Sequence, residues 1–289
     1  MKTATCLSLT LCVSVSIIAA AQVADSPRPN EWGYNYPRSY DAEVAAPSVH
    51  RIRYEDDHIQ FMEVSNPPGY HMQMHGHPYP SVFARMSGGL SPQGLAPSEK
   101  FLDPAGSLNG QGWRNGPPPQ GADFPTCTAA DPQAPHLPVN TSDTPLHFYR
   151  IEWKRVDQKD LRELDTRYSG LAVEVVRYDS DATRLVEVTI PAGRASASAA
   201  NSLPGVLAFD TVAAFDAVDA ALDSRPGRSP PPAGMVAPRC ITLGENQMGP
   251  IANKTGGTLH FYRIEFKRID GAGLHEHWRE WYPFMLKMH

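Results

Sequence analysis

The 289-residue chain has only four cysteines, no Lys/Arg block longer than two residues, and no long amphipathic stripe of helical period. Each absence excludes something. Cys6 and Cys12 lie in an apolar N-terminal stretch, leaving Cys127 and Cys240 for the rest of the chain, too few for a disulfide-built scaffold. With 26 basic against 31 acidic side chains and a formal charge of −5, no basic stripe exists for a nucleic-acid backbone, and that partner is discounted. Without a helical stripe the body of the chain does not read as a helix bundle. What is present, 41% hydrophobic and 20% charged residues, suits a folded protein with a sizeable core.

Residues 1–21 read as a secretory signal peptide: Lys2 supplies a short positive region, Leu7 to Ala20 is uncharged and mostly apolar, and Ala19-Ala20-Ala21 precedes Gln22. The stretch is marginal for spanning a bilayer and no stop-transfer pattern follows, so no transmembrane anchor is expected. A secreted or periplasmic protein is the expectation.

An internal repeat organises the remainder. Pro145-Leu146-His147-Phe148-Tyr149-Arg150-Ile151-Glu152-Trp153-Lys154-Arg155 matches Thr258-Leu259-His260-Phe261-Tyr262-Arg263-Ile264-Glu265-Phe266-Lys267-Arg268 at an offset of 113, which also maps Cys127 onto Cys240 and Asn140 onto Asn253. Upstream the offset is 124, pairing Arg53-Tyr54 with Arg177-Tyr178, Glu63-Val64 with Glu187-Val188 and Gly69 with Gly193. The difference falls in a Gly-, Pro- and Ser-rich stretch, Gly88 to Gly121, where a surface loop absorbs length.

Periodicity within each copy is short and twofold: His58 to Val64, His71 to His77, Val82 to Met86 and Leu146 to Trp153 are strand-length. The expectation is all-β, two tandem antiparallel barrels, with one helix at Val212 to Leu222. The expected organisation is a signal at 1–21, an N-terminal arm at 22–49, barrel 1 at 50–157, a charged linker at 158–170, barrel 2 at 171–270 and a tail at 271–289. The aromatic arm, with Trp32, Tyr34, Tyr36 and Tyr40, is suited to wrap across the partner domain, and the tail to strap against a barrel. Because Cys127 and Cys240 are equivalent, they meet only if the two domains bring equivalent positions together. Two free, buried thiols are expected.

The first copy carries the chemistry. On a strand, His71, Gln73, His75 and His77 share one face while Met72, Met74 and Gly76 take the other. Imidazoles at i and i+2 can share a metal, and His136 offers a third from a distant strand. Three neutral imidazoles suit iron, copper, nickel or zinc with positions open to water or substrate. The alternative is a set of hydrogen-bonded histidines in a wet pocket. By the offsets, His75, His77 and His136 become Ala199, Asn201 and Gly249 in the second copy, which should hold no metal. His147 persists as His260 where the ligands have vanished, marking it as structural, and the same holds for Arg150 and Glu152. His71 and Gln73, replaced by Ala195 and Ala197, are the candidate acid–base or positioning groups, and Arg85 at the mouth would favour an anionic substrate.

The run Gly69, His75, His77, Ser81, Gly88 resembles the first cupin motif with serine in place of the usual glutamate ligand, and His136 to Asn140 resembles the end of the second. The chain thus resembles a secreted bicupin with a degenerate second barrel. The resemblance implies one divalent metal at His75, His77 and His136, Fe(II) favoured over Mn, Zn, Ni or Cu. Loss of the glutamate makes the site similar to three-histidine thiol and diketone dioxygenases. An oxygenase acting on a small organic molecule is the implied function, with a Zn/Mn lyase or isomerase, or a sugar-binding cupin, as alternatives. A homo-oligomer is left open.

Overall fold

The computed structural model describes residues 30, 32–66, 69–85, 99–102, 108–109, 125–140, 146–155, 171–196, 202–222 and 238–267. The signal segment, the linker at 158–170 and the tail lie outside these residues. In chain order the elements are a 3₁₀ turn (Arg38–Tyr40), α1 (Ala42–Ala45), β1 (His50–Glu55), β2 (Ile59–Asn66), β3 (His75–His77), β4 (Ser81–Arg85), β5 (Glu99–Leu102), β6 (Leu108–Asn109), β7 (Thr126–Ala130), β8 (Gln133–Asn140) and β9 (Leu146–Trp153). The second half supplies β10 (Val173–Asp179), β11 (Thr183–Ile190), β12 (Gly205–Phe209), α2 (Val212–Leu222), β13 (Arg239–Leu243) and β14 (Leu259–Phe266).

Two five-stranded antiparallel sheets have strand orders β1-β2-β9-β4-β7 and β10-β11-β14-β12-β13, the same order position for position. Each opens with a register slip at an equivalent place, between Ile52 and Tyr54 and between Val176 and Tyr178. Asn140 and Asn253 explain their retention in both copies. The buried amide of Asn140 donates to the Asn66 carbonyl at 2.8 Å, and that of Asn253 to the Ile190 carbonyl at 2.7 Å.

Alternation along the central strands fills both faces. In β9, Tyr149, Ile151 and Trp153 point outward into a core shared with Tyr262, Ile264 and Phe266 of β14, so the two sheets pack against each other. Phe61 stacks on Tyr149 at 5.4 Å, and Tyr149 meets Phe266 at 6.0 Å across that seam. Each such ring contributes roughly 1.5–3 kcal/mol by burial. The opposite parity, Phe148, Arg150 and Glu152, faces the interior of the first unit, whose other wall is the sheet β3-β8-β5-β6. In the second unit an apolar cluster of Val186, Val188, Leu207, Phe209 and Phe261 is closed by Phe215, Val218 and Leu222 of α2. The helix covers the residues expected of it.

Two expectations are corrected. Cys127 and Cys240 form a disulfide, with Cα atoms 6.2 Å apart, and are not free thiols. β7 and β13 are the corresponding edge strands, and the packing of sheet on sheet brings these equivalent positions together. The described part of the arm, in turn, packs on its own unit. Asp41 bridges to Gly76 in β3, and the Asn30 amide donates to the Pro78 carbonyl at 2.6 Å.

Candidate metal centre

β3 is three residues long and its two histidines flank a glycine. A Cβ on Gly76 would stand 2.6 Å from the Tyr34 hydroxyl and 3.0 Å from the Gln133 carbonyl, so only glycine lets the arm and β8 close on both sides of this strand. His75 and His77 are thereby held inside, 1% and 3% exposed. β8 pairs with β3 at His75↔His136, which brings the third expected imidazole alongside.

The structure adds a fourth, His50, the first residue of β1. One ring nitrogen from each of His50, His75 and His77 lies within 4.8 Å of the others. The His50 ring is 4.4 Å from that of His75 and 5.3 Å from that of His77; the His136 ring is 4.8 Å and 5.7 Å from the same two. The tight group is therefore His50, His75 and His77, with His136 beside it. The repeat held the clue to His50, for the offset of 124 places Glu174 at its equivalent, the same loss of imidazole seen at the other ligand positions.

Each ring is oriented through Nδ1. His75 Nδ1 donates to the Gln73 carbonyl at 2.7 Å, His136 Nδ1 to the Ala134 carbonyl at 2.8 Å, and His50 Nδ1 reaches the Ala46 carbonyl at 3.4 Å. His77 Nδ1 donates to the Glu152 carboxylate at 2.8 Å. A backbone carbonyl can only accept, so in His50, His75 and His136 Nδ1 carries the proton and the Nε2 lone pair is left for a metal; His77 Nδ1 donates in the same way to Glu152 in its ionised form, the form that Arg150 and a bound cation favour. Burial lowers the pKa of all four, His50 to about 3 and His136 to about 4, with Arg150 acting in the same direction. Neutral imidazoles with fixed tautomers are the form that ligates. Nitrogens bound at roughly 2.1 Å would sit closer together than 4.8 Å, a contraction of the kind ring tilts supply. This donor set fits a divalent transition metal.

Behind the cluster, Arg150 Nε lies 2.9 Å from Glu152 and Arg150 Nη1 donates to Gln133 at 2.8 Å. Burial pushes the Glu152 carboxyl up to about 8 against the opposing pull of Arg150, and a cation at the histidines would act in the sense of Arg150. The pair is structural in both copies, since Arg263 Nε and Glu265 stand 2.6 Å apart, but in the first copy it also reaches His77. His147 faces the other way. Its Nε2 meets Glu63 at 2.8 Å, as that of His260 meets Glu187 at 2.9 Å, which bears out its structural reading.

A narrow pocket with about 20 Å³ of free space rises from the four histidines. Arg85 and Phe83 line it. His71 and Gln73 do not: both are exposed, and Met72 between them is buried in the wall. Strand parity does not extend upstream of His75, because the chain is not strand there. Gly69 has φ 68°, His71 makes only a single bridge to Val139, and the chain bends at Met74. Gln73 serves through its carbonyl alone. Ser81 is fully buried and its hydroxyl makes no hydrogen bond.

No protein-family model matches the chain, and no curated protein matches it. Among solved structures it is similar to a cupin domain from Bordetella pertussis Tohama I, at 20% identity over 37% of this chain and 93% of that one, with a TM-score of 0.26. It is also similar to salicylate 1,2-dioxygenase from Pseudaminobacter salicylatoxidans, at 10% identity over 73% and 72% of the two chains with a TM-score of 0.22. Oxalate decarboxylase from Lactobacillus farciminis gives 9%, 77%, 78% and 0.21 respectively. The strand order and the histidine geometry, and not these overlaps, describe what the chain is: two tandem antiparallel units, the first holding a histidine cluster able to take a metal ion. No helix among the described residues is long and apolar enough to cross a membrane.

Proposed function

We propose that the chain is a secreted metal-dependent enzyme acting on a small organic molecule, with oxygenation as the reaction and Fe(II) as the metal. The observation that carries the reading is the group of three nitrogens within 4.8 Å, each ring pinned through Nδ1, at the floor of a pocket. His50, His75 and His77 would hold the metal, with His136 adjacent. Bound there, a transition metal supplies Lewis acidity and redox capacity to oxygen ligands in its remaining positions. The protein's own part is orientation and exclusion of water: Phe83, Phe148 and Met72 make the walls apolar, and Arg85 sets the charge of what enters. The disulfide supports passage through an oxidising compartment.

The test is elemental analysis of untagged protein, followed by oxygen uptake of the Fe(II)-loaded chain against a panel of small organic acids and neutral analogues. Substrate-dependent uptake at one metal per chain is expected. A chain that retains metal and binds panel members without turnover would overturn the enzymatic reading in favour of a binding protein, which the exposure of His71 and Gln73 away from the pocket also favours.

A further inference from the structure

We propose that the metal held by the histidine cluster is closed to organic ligands, and that its open position takes a ligand of two or three heavy atoms, such as dioxygen or azide. The proposal deepens the reading of a metal site by naming what its open position is sized for, and it rests on that reading. An organic molecule oxidised here would remain outside the pocket and would not be chelated.

Coordination number is one limit. Two imidazoles sharing an ion at about 2.1 Å stand roughly 4.5–5.5 Å apart, ring centre to ring centre, when their bonds diverge by a right or a tetrahedral angle. His50 stands 4.4 Å from His75 and 5.3 Å from His77, and those two are 5.2 Å apart. His136 stands 4.8 Å from His75 and 5.7 Å from His77, which is where a fourth ligand would be. Four protein nitrogens leave one position on a five-coordinate ion and two on a six-coordinate one. All four rings line the pocket, so an open position faces its free space.

Room is the other limit. The free space is about 20 Å³, and one water needs about 10–15 Å³. A diatomic molecule fits, as does a linear anion bound end-on and pointing at the mouth. A carboxylate on a carbon skeleton does not. The walls are braced against widening. Arg150 stacks 4.4 Å over Phe83, Phe83 meets Phe148 at 5.3 Å, and Arg85 lies over the same two rings at 5.8 and 5.2 Å. Met72 and Val64, 3% and 0% exposed, belong to one packed cluster with those rings. In a close-packed wall a shift of one side chain displaces its neighbours, so no single rotamer change makes room for a ring.

The donors set the preferred charge. Imidazole ligands are neutral, so a bound dication keeps its own charge and favours an anionic or electron-rich small ligand. The second unit has Glu174, Ala199, Asn201 and Gly249 at the equivalents of the four histidines, so the spectrum of a loaded chain reports the first unit.

The experiment uses the full chain loaded with Co(II), with azide and benzoate as probes and the visible Co(II) spectrum as the readout. Both probes carry one negative charge at neutral pH and differ in size. Azide should perturb the spectrum saturably, and benzoate should bind at least about tenfold more weakly. Met72→Ala trims the wall without touching a ligand; it should raise benzoate affinity by about tenfold or more and leave Co(II) stoichiometry unchanged. Val64→Ala asks the same of a second wall residue, and decides the matter if Met72→Ala folds poorly. A parent spectrum that responds to benzoate as strongly as to azide, or to neither, would overturn the proposal, as would exclusion of benzoate from both variants. Those results leave the metal reading standing, whereas a parent chain that takes up no Co(II) overturns the metal reading and this proposal with it.

Discussion

Glu152→Gln separates what the buried Arg–Glu pair does for the fold from what it does for the metal. In the parent, Glu152 is 1% exposed, accepts from His77 Nδ1 at 2.8 Å and lies 2.9 Å from Arg150 Nε. The amide keeps an acceptor oxygen but removes the charge that offsets Arg150. Removing one partner of a buried pair costs about 3–5 kcal/mol, and the retained hydrogen bond to Gln133 puts the expectation at the lower end. Separately, replacing a carboxylate behind a ligating histidine lowers metal affinity about 10–100-fold, or about 1.4–2.7 kcal/mol. Glu265→Gln is the matched control. Arg263 and Glu265 form the same pair at 2.6 Å in the second copy, with no metal-site imidazole beyond it, and Arg263 keeps Glu174 at 2.8 Å. Chemical denaturation should show both variants destabilised, Glu265→Gln less so; competition with a chromophoric chelator should show metal affinity reduced in Glu152→Gln alone. Equal metal affinity in parent, Glu152→Gln and Glu265→Gln would refute the assignment of Glu152 to the metal site.

Three further outcomes follow from the same geometry. His50→Ala and His77→Ala should each weaken metal retention by a hundredfold or more in calorimetric titration, whereas His260→Ala should lower stability and leave stoichiometry at one. Gly76→Ala should cost about 1–3 kcal/mol and weaken metal binding together, because its Cβ would meet the Tyr34 hydroxyl at 2.6 Å; adding Tyr34→Phe should restore part of both in thermal melts with and without metal. In the metal-free protein the clustered histidines have depressed pKa values, so below about pH 6.5 the unfolded chain binds protons that the folded chain refuses. Urea midpoints of the metal-free protein should fall as pH drops from about 6.5 towards 4, and less steeply in His50→Ala; a flat profile would contradict the buried cluster.

Much of the architecture is legible because alternation is strict where both faces of a strand are buried. The block from Phe148 to Trp153 sends even positions to the interior of the first unit and odd positions into the seam between sheets, and its repeat, displaced by an odd number of residues, sends Phe261 inward and Tyr262, Ile264 and Phe266 into the seam. His75 and His77 are legible for the same reason, being two residues apart on one face. His50 is not, since nothing near it in sequence hints at a ligand, and only comparison with Glu174 exposes it. His71 and Gln73 mislead because the turn that Gly69 begins breaks the twofold period upstream of His75. The disulfide depends on how one sheet lies on the other, and local periodicity contains no information about that.

The Cys127–Cys240 bridge also changes what a broken backbone would mean for this molecule. Peptide bonds between those residues include the whole connection from β9 to β10 and the segment between α2 and β13. Cleavage at one place in either stretch leaves a single covalent object, with fragments joined through sulfur, and the halves separate only after reduction. Each fragment would still carry an edge strand tied to its counterpart, so the seam could re-form at an effective concentration set by the bridge and not by dilution. After such a cut, His75, His77 and His136, with Glu152 on their own fragment, would remain tethered to the supporting strands of the second unit on the other.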